Sequence, residues 1–171
     1  MKRITVILAM LFVSTVTVLG QAGPGQESNL RGLKGVRLIV MFGRAEAIDE
    51  AERPAILKLV EADASAKLKS AGITLLQLQN EIVDAGSPYL MVYVTCDKPN
   101  GYVYPVVTDV KLQQRVRLLR DPSIEADVAT WREGGIGAGK LSADLIRRLV
   151  SSSIDTFIRD YKTVNLSSAR R

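Results

Sequence analysis

A chain of 171 residues and 18.7 kDa has room for one domain and little beyond it. At 47% hydrophobic and 24% charged, with a formal net charge of +5, it has the composition of a globular protein, which excludes the disordered and collagen-like classes. Histidine is absent and Cys96 is the single cysteine, which excludes His-based metal sites, zinc fingers, Ser-His-Asp and Cys-His catalysis, and any intrachain disulfide.

The chain opens as a secretory signal peptide would. Met1-Lys2-Arg3 is a basic n-region, Ile4 to Leu19 is an uncharged apolar run of 16 residues, and Gly20 supplies the small residue read at cleavage. Gln21 is then the first mature residue, with a second cleavage position after Ala22. The run is shorter than the ~20 residues of a membrane-spanning helix. No cysteine follows it, so a lipid anchor is not expected. Losing Lys2 and Arg3 lowers the 23 basic residues to 21 against 18 acidic. That surplus is too small to argue for a nucleic-acid partner. The expected location is periplasmic or secreted, with no integral membrane span once the leader is gone.

Residues 21–35 hold four glycines and a proline and read as a flexible leader to a single domain over 36–165. Val36 to Phe42 is apolar at both parities, which predicts a central strand. Pro54 suits the first turn of a helix whose stripe is Ile56, Leu59, Val60, Ala64, Lys67 and Leu68. Gly72 stands where a C-terminal cap is expected, and Asp49, Glu50 and Glu52 lie upstream, where a helix dipole favours acids. Ile73 to Leu78 is a second strand at βαβ distance, so the first two strands should be parallel.

Tyr89 to Thr95 is β-branched and aromatic, and Asn100-Gly101 is a hairpin turn signal. From Tyr102 to Leu118 alternation is strict. Tyr104, Val106, Thr108, Val110, Leu112, Gln114 and Val116 share one parity; Asp109, Lys111, Gln113, Arg115 and Arg117 share the other. This predicts a half-buried antiparallel strand of roughly 55 Å, long enough to require a bend, placed at Val107 to Asp109. Asp121-Pro122-Ser123 reads as a turn and Glu125 to Trp131 as a further strand. Gly134 to Gly139 reads as a glycine-rich loop into a last helix, with Ser142 as its N-cap. That helix carries the stripe Leu145, Ile146, Leu149, Val150, Ile154, Phe157, Ile158 and Tyr161, and fades near Asn165 ahead of a polar tail over 166–171. The order β-α-β-β-β-β-α predicts an α+β fold: a curved, mostly antiparallel sheet with two helices on one face.

Few residues point to chemistry. Gly134 to Lys140 matches most of a P-loop, but Leu141 replaces its magnesium-binding hydroxyl, so a connecting loop is the stronger reading. Gly137, Gly139 and Lys140 remain as a weak anion-site candidate. Asp49, Glu50, Glu61 and Asp63 show no spacing that singles out an acid/base pair. No catalytic residue, cofactor or metal ligand is assigned. Lys111, Arg115 and Arg117 form a weak candidate strip for partner contact, against a solvated strand face as the plainer reading. Tyr89, Tyr93, Tyr102 and Tyr104 read as cross-strand aromatic pairs. Cys96 reads as a small buried hydrophobe at a strand end, and Asn165-Leu166-Ser167 as a sequon of little meaning at a chain end.

Several stretches taken together, Lys67-Leu68-Lys69 with Ala71-Gly72-Ile73, Gln114 to Asp121 with Thr130-Trp131, and Asp155 to Tyr161 with Asn165, resemble a group of uncharacterised small exported bacterial proteins. The resemblance implies export and one α+β domain, and brings no activity. The element order is also similar to that of small periplasmic domains that assist envelope assembly. The functional expectation is a non-enzymatic domain that binds an envelope protein or itself. The alternative is a small histidine-independent hydrolase or anion-binding protein using the glycine-rich segment and Lys140.

Overall fold

The computed structural model describes residues 18–19, 25–76, 88–98 and 104–165. The elements are β1 (Val18–Leu19), a 3-10 turn (Gln26–Leu30), β2 (Gly35–Phe42), α1 (Arg53–Ser70), β3 (Thr74–Leu75), β4 (Tyr89–Cys96), β5 (Tyr104–Leu118), β6 (Asp121–Gly139) and α2 (Ala143–Asn165). One sheet runs in the order β1-β6-β5-β4-β2-β3. The β1/β6, β6/β5 and β5/β4 pairs are antiparallel; β4/β2 and β2/β3 are parallel. This is the α+β, two-layer arrangement that the pattern implies.

Local chemistry sets the helix ends. Gly72 has φ +81, which only glycine adopts without strain, and it turns the chain so that Ile73 N–H reaches Leu68 O at 3.0 Å. Ile73 and Leu68 are both buried, which completes a Schellman end to α1. At α2, Ser142 Oγ accepts from Leu145 N–H at 3.2 Å, the expected cap.

The core lies between the sheet and the two helices. One parity of each long strand faces it: Leu90, Val92, Val94 and Cys96 of β4, Val106, Thr108, Val110 and Leu112 of β5, and Trp131 and Glu133 of β6 are all buried. Helix α2 contributes Ile146, Val150, Ser153, Ile154, Phe157 and Val164, against Val60, Ala64 and Leu68 from α1. Phe157 meets Trp131 edge to face with centroids 5.0 Å apart. Two ion pairs join the helices, Lys67 to Asp155 and Arg147 to Asp63, both at 2.6 Å.

Four expectations need correction. First, Gly134–Gly139 is no loop. It is the end of β6, registered against Tyr104–Asp109. Gly137 lies beneath α2: a Cβ there would lie 2.8 Å from Leu149 Cδ1, so that side chain would have to shift to make room. Second, the irregularity in the long hairpin is not at Val107 to Asp109. Leu112 faces Trp131 while Gln113 faces Ala129, leaving Thr130 as the extra residue of a bulge. Third, β2 lies between β4 and β3 but is flanked on both sides for only part of its length. Beyond Gly35 and Val36, which pair with β3, only β4 lies beside it among the described residues. Its second apolar parity, Ile39 and Met41, instead extends an open face of the sheet. Fourth, the reversal between β5 and β6 falls at Leu119-Arg120, just ahead of Asp121, whose carboxylate accepts from Ser123 N–H at 3.0 Å and from its hydroxyl at 2.7 Å.

The segment read as a flexible leader is docked from residue 25 onward. Leu30 is wholly buried. Asn165, at the end of α2, accepts from Gly32 N–H at 2.8 Å and donates to Leu30 O at 2.9 Å. The sequon asparagine is therefore a tie between the two ends of the domain. The signal segment up to residue 17, the Asn100-Gly101 turn, Tyr102 and the tail over 166–171 lie outside the described residues.

Candidate interaction surface

Among the described residues, helices cover one face of the sheet only. On the other, Ile39, Met41, Met91 and Tyr93 are half-buried, and Val107 and Ile136 are 39% and 50% exposed. The three cations proposed for partner contact, Lys111, Arg115 and Arg117, share this face, and each is already engaged. Lys111 Nζ sits 4.5 Å over the Tyr93 ring. Arg115 pairs with Asp127 at 3.3 Å and Arg117 with Glu125 at 3.0 Å, both directly across the hairpin. Arg132 pairs with Asp109 at 2.6 Å. These contacts run between neighbouring strands of the sheet.

Among the described residues, Tyr89, Tyr93 and Tyr104 do not pair with one another. Tyr89 lies opposite Gln113 and Tyr93 opposite Asp109. Tyr89 instead accepts from Arg37 Nη1 at 3.0 Å, with the guanidinium 5.4 Å from its ring centre. Arg37 is buried, and its Nε is without a hydrogen-bond partner.

Sequence reading missed the arm. Strand β4 accompanies β5 only as far as the Tyr89–Gln113 pair. Beyond it, Gln114–Leu118 and Asp121–Val128 continue as a two-stranded ribbon with no third strand beside them among the described residues. Its charged pairs occupy one face. Val116, Ala126 and Val128 are half-buried on the other, Ile124 is 41% exposed, and Leu119 at the tip is fully exposed at 101%. The alternation that continues past Gln113 carried this signal, and Pro88 ahead of Tyr89 marks where β4 begins, but nothing local sets Tyr89 opposite Gln113.

The anion-site candidates lie along the end of a strand, with no loop to cradle an anion. Gly137 and Gly139 lie in the β6 ladder opposite Val106 and Tyr104, and Lys140 is an exposed residue beyond it. The carboxylates disperse: Asp49 accepts from Ala51 N–H at 2.9 Å, Glu50 pairs with Arg53 at 3.6 Å, Glu61 is exposed and Asp63 pairs with Arg147. An open cleft of about 240 Å³ at the helix pair is lined by Asp63, Asp144, Arg147, Arg148 and Ser151, and Arg147 bridges both of its carboxylates. No cluster of three metal-type ligands occurs among the described residues.

Two buried titratable groups are perturbed. Burial, reinforced by Asp97, pushes the Cys96 thiol up to about 11, which makes it the inert small hydrophobe expected. Burial, then the neighbouring Asp160, raises the Glu133 carboxyl, with Arg159 opposing. Asp160 itself accepts from Trp131 Nε1 at 3.0 Å.

No family model matches the chain, and none of the curated proteins does. Among solved structures it is similar to PelC from Paraburkholderia phytofirmans, a dodecamer, at 15% identity and TM-score 0.42, over 82% of this chain and 94% of that one. No helix among the described residues is long and apolar enough to cross a membrane.

Proposed function

We propose that the protein is an exported accessory domain, periplasmic or secreted, that binds an envelope protein through the β5–β6 arm, with residues 1–20 as its leader. One observation carries the reading: an apolar-faced ribbon runs beyond the end of β4 with Leu119 and Ile124 exposed. A two-stranded hairpin is marginal in water by itself and gains stability when its apolar face is covered. The charged pairs on its other face keep the ribbon in register and discourage indiscriminate strand pairing. A photo-crosslinking residue at position 119 should trap one discrete partner from envelope fractions, while the same probe at Arg148 traps none. Equal trapping at both positions, or at neither, overturns arm binding. The intact mass of exported protein should begin at Gln21, or at Gly23 if the second position is cut. A mass that retains Met1 to Gly20 overturns the leader.

A further inference from the structure

The outer edge of β6 changes character along its length. From Asp121 to Arg132 it carries Pro122, Glu125, Asp127, Arg132 and the Thr130 bulge, the features that protect a free edge. There the 3-10 turn also covers backbone groups: Gln26 Oε1 accepts from Arg132 N–H at 2.7 Å, and Asn29 Nδ2 donates to Thr130 O at 2.7 Å. From Gly134 to Gly139 the sequence is GGIGAG, with no charge and no proline. Since Arg132 N–H turns away from β5, strand alternation turns the N–H and C=O groups of Gly134, Ile136 and Ala138 outward as well. Within the chain this stretch is met by β1, antiparallel, with Val18 opposite Ile136 and Leu19 opposite Gly135. Both β1 residues belong to the segment read as the leader.

We infer that, once the leader is removed, Gly134–Ala138 pairs antiparallel with the same segment of a second copy and joins two sheets into one. This rests on the leader reading above and not on the arm. A second copy suits the edge for three reasons. Antiparallel contact of one edge with itself is two-fold symmetric, so it closes as a dimer. With Ile136 on the axis, Gly134 faces Ala138 of the other copy, and all three outward residues on each side find partners. The half-exposed Ile136 side chains then meet as an apolar cross-strand pair beside Val107. Arg132 comes opposite the partner's Lys140 in this register, and Arg132 is already neutralised by Asp109.

Every buried apolar side chain among the described residues lies between Leu30 and Val164, so a chain lacking residues 1–20 keeps its core. Sedimentation velocity should find that chain dimeric at micromolar concentration and the full chain monomeric. Ile136→Lys places two like charges opposite each other on the axis and should weaken the dimer about tenfold or more in Kd, with unchanged melting temperature at concentrations where both chains are monomeric. Residues facing across such a pair have Cα atoms ~5.5 Å apart, within disulfide reach. Ile136→Cys should therefore form an interchain disulfide on mild oxidation while Ile124→Cys does not; Cys96 is buried and does not interfere. A monomeric chain from Gln21, a dimer indifferent to Ile136→Lys, or a disulfide through position 124 overturns the proposal. A dimer that forms while position 119 traps no partner would sustain this edge and refute the arm.

Discussion

The two halves of the β5–β6 hairpin have the same alternating sequence and different fates. In the half from Val106 to Leu112, paired with Trp131 to Gly137, the inward parity is buried under α2 and flanked by β4. In the half from Gln114 to Leu118, the same parity is not among the residues packed on the core, and its apolar residues stay partly in water. Alternation sets which residues share a face, and only the elements stacked on that face decide whether it becomes core. The covered half is built into the core, and the uncovered half leaves its apolar residues partly exposed.

The sharpest test of that contrast removes Phe157, which is wholly buried against Trp131. Phe157→Ala should cost about 3–5 kcal/mol in urea melts. Leu119→Ala at the arm tip should leave stability unchanged. Equal midpoints would mean that α2 is not docked on the sheet. A smaller effect separates the glycines under α2. Gly137→Ala would force Leu149 to move and should cost about 1–2 kcal/mol. At Gly139 an added Cβ meets nothing within 4 Å, so Gly139→Ala should be neutral or slightly stabilising. Identical thermal shifts for the two would remove the packing reason for the glycines.

The next effect is read from pH. Glu133 has a raised carboxyl pKa in the folded state, so between its unfolded and folded values the native chain binds more protons than the unfolded chain. Its contribution is full below the unfolded value near 4.5 and is lost as pH rises through the folded value. Glu133→Gln should flatten that decline and raise the melting temperature at neutral pH. A melting profile with the wild-type slope would show that the carboxyl is not the source. The smallest effect is expected on the outer surface of α2, where Arg148 is exposed: Arg148→Ala should change stability by no more than about 0.5 kcal/mol.

Much of the fold was legible because its signals are local. Gly72 and Ser142 act on atoms three to five residues away, and the stripes of α1 and α2 and the parity of β5 follow from the geometry of single elements. The segment Gly134–Gly139 was misread because glycine signals a loop wherever propensity is the only guide. Its strand state comes from β5 pairing on one side and Leu149 packing from α2 above, neither of which is adjacent in sequence. The Thr130 bulge, the parallel β2/β4 pair and the docking of Leu30 depend in the same way on distant partners.

For the surface, the division is similar. The sequence by itself determined that Lys111, Arg115 and Arg117 share a face, because a strand repeats every two residues. Only the tertiary structure decided that Asp127, Glu125 and the Tyr93 ring stand opposite them, because cross-strand register and strand length are settled between segments rather than within one. The same holds for the arm. Its apolar parity was written in the chain from Tyr104 to Leu118, but its exposure arises because β4 pairs no further than Gln113, and that limit is a property of the assembled sheet.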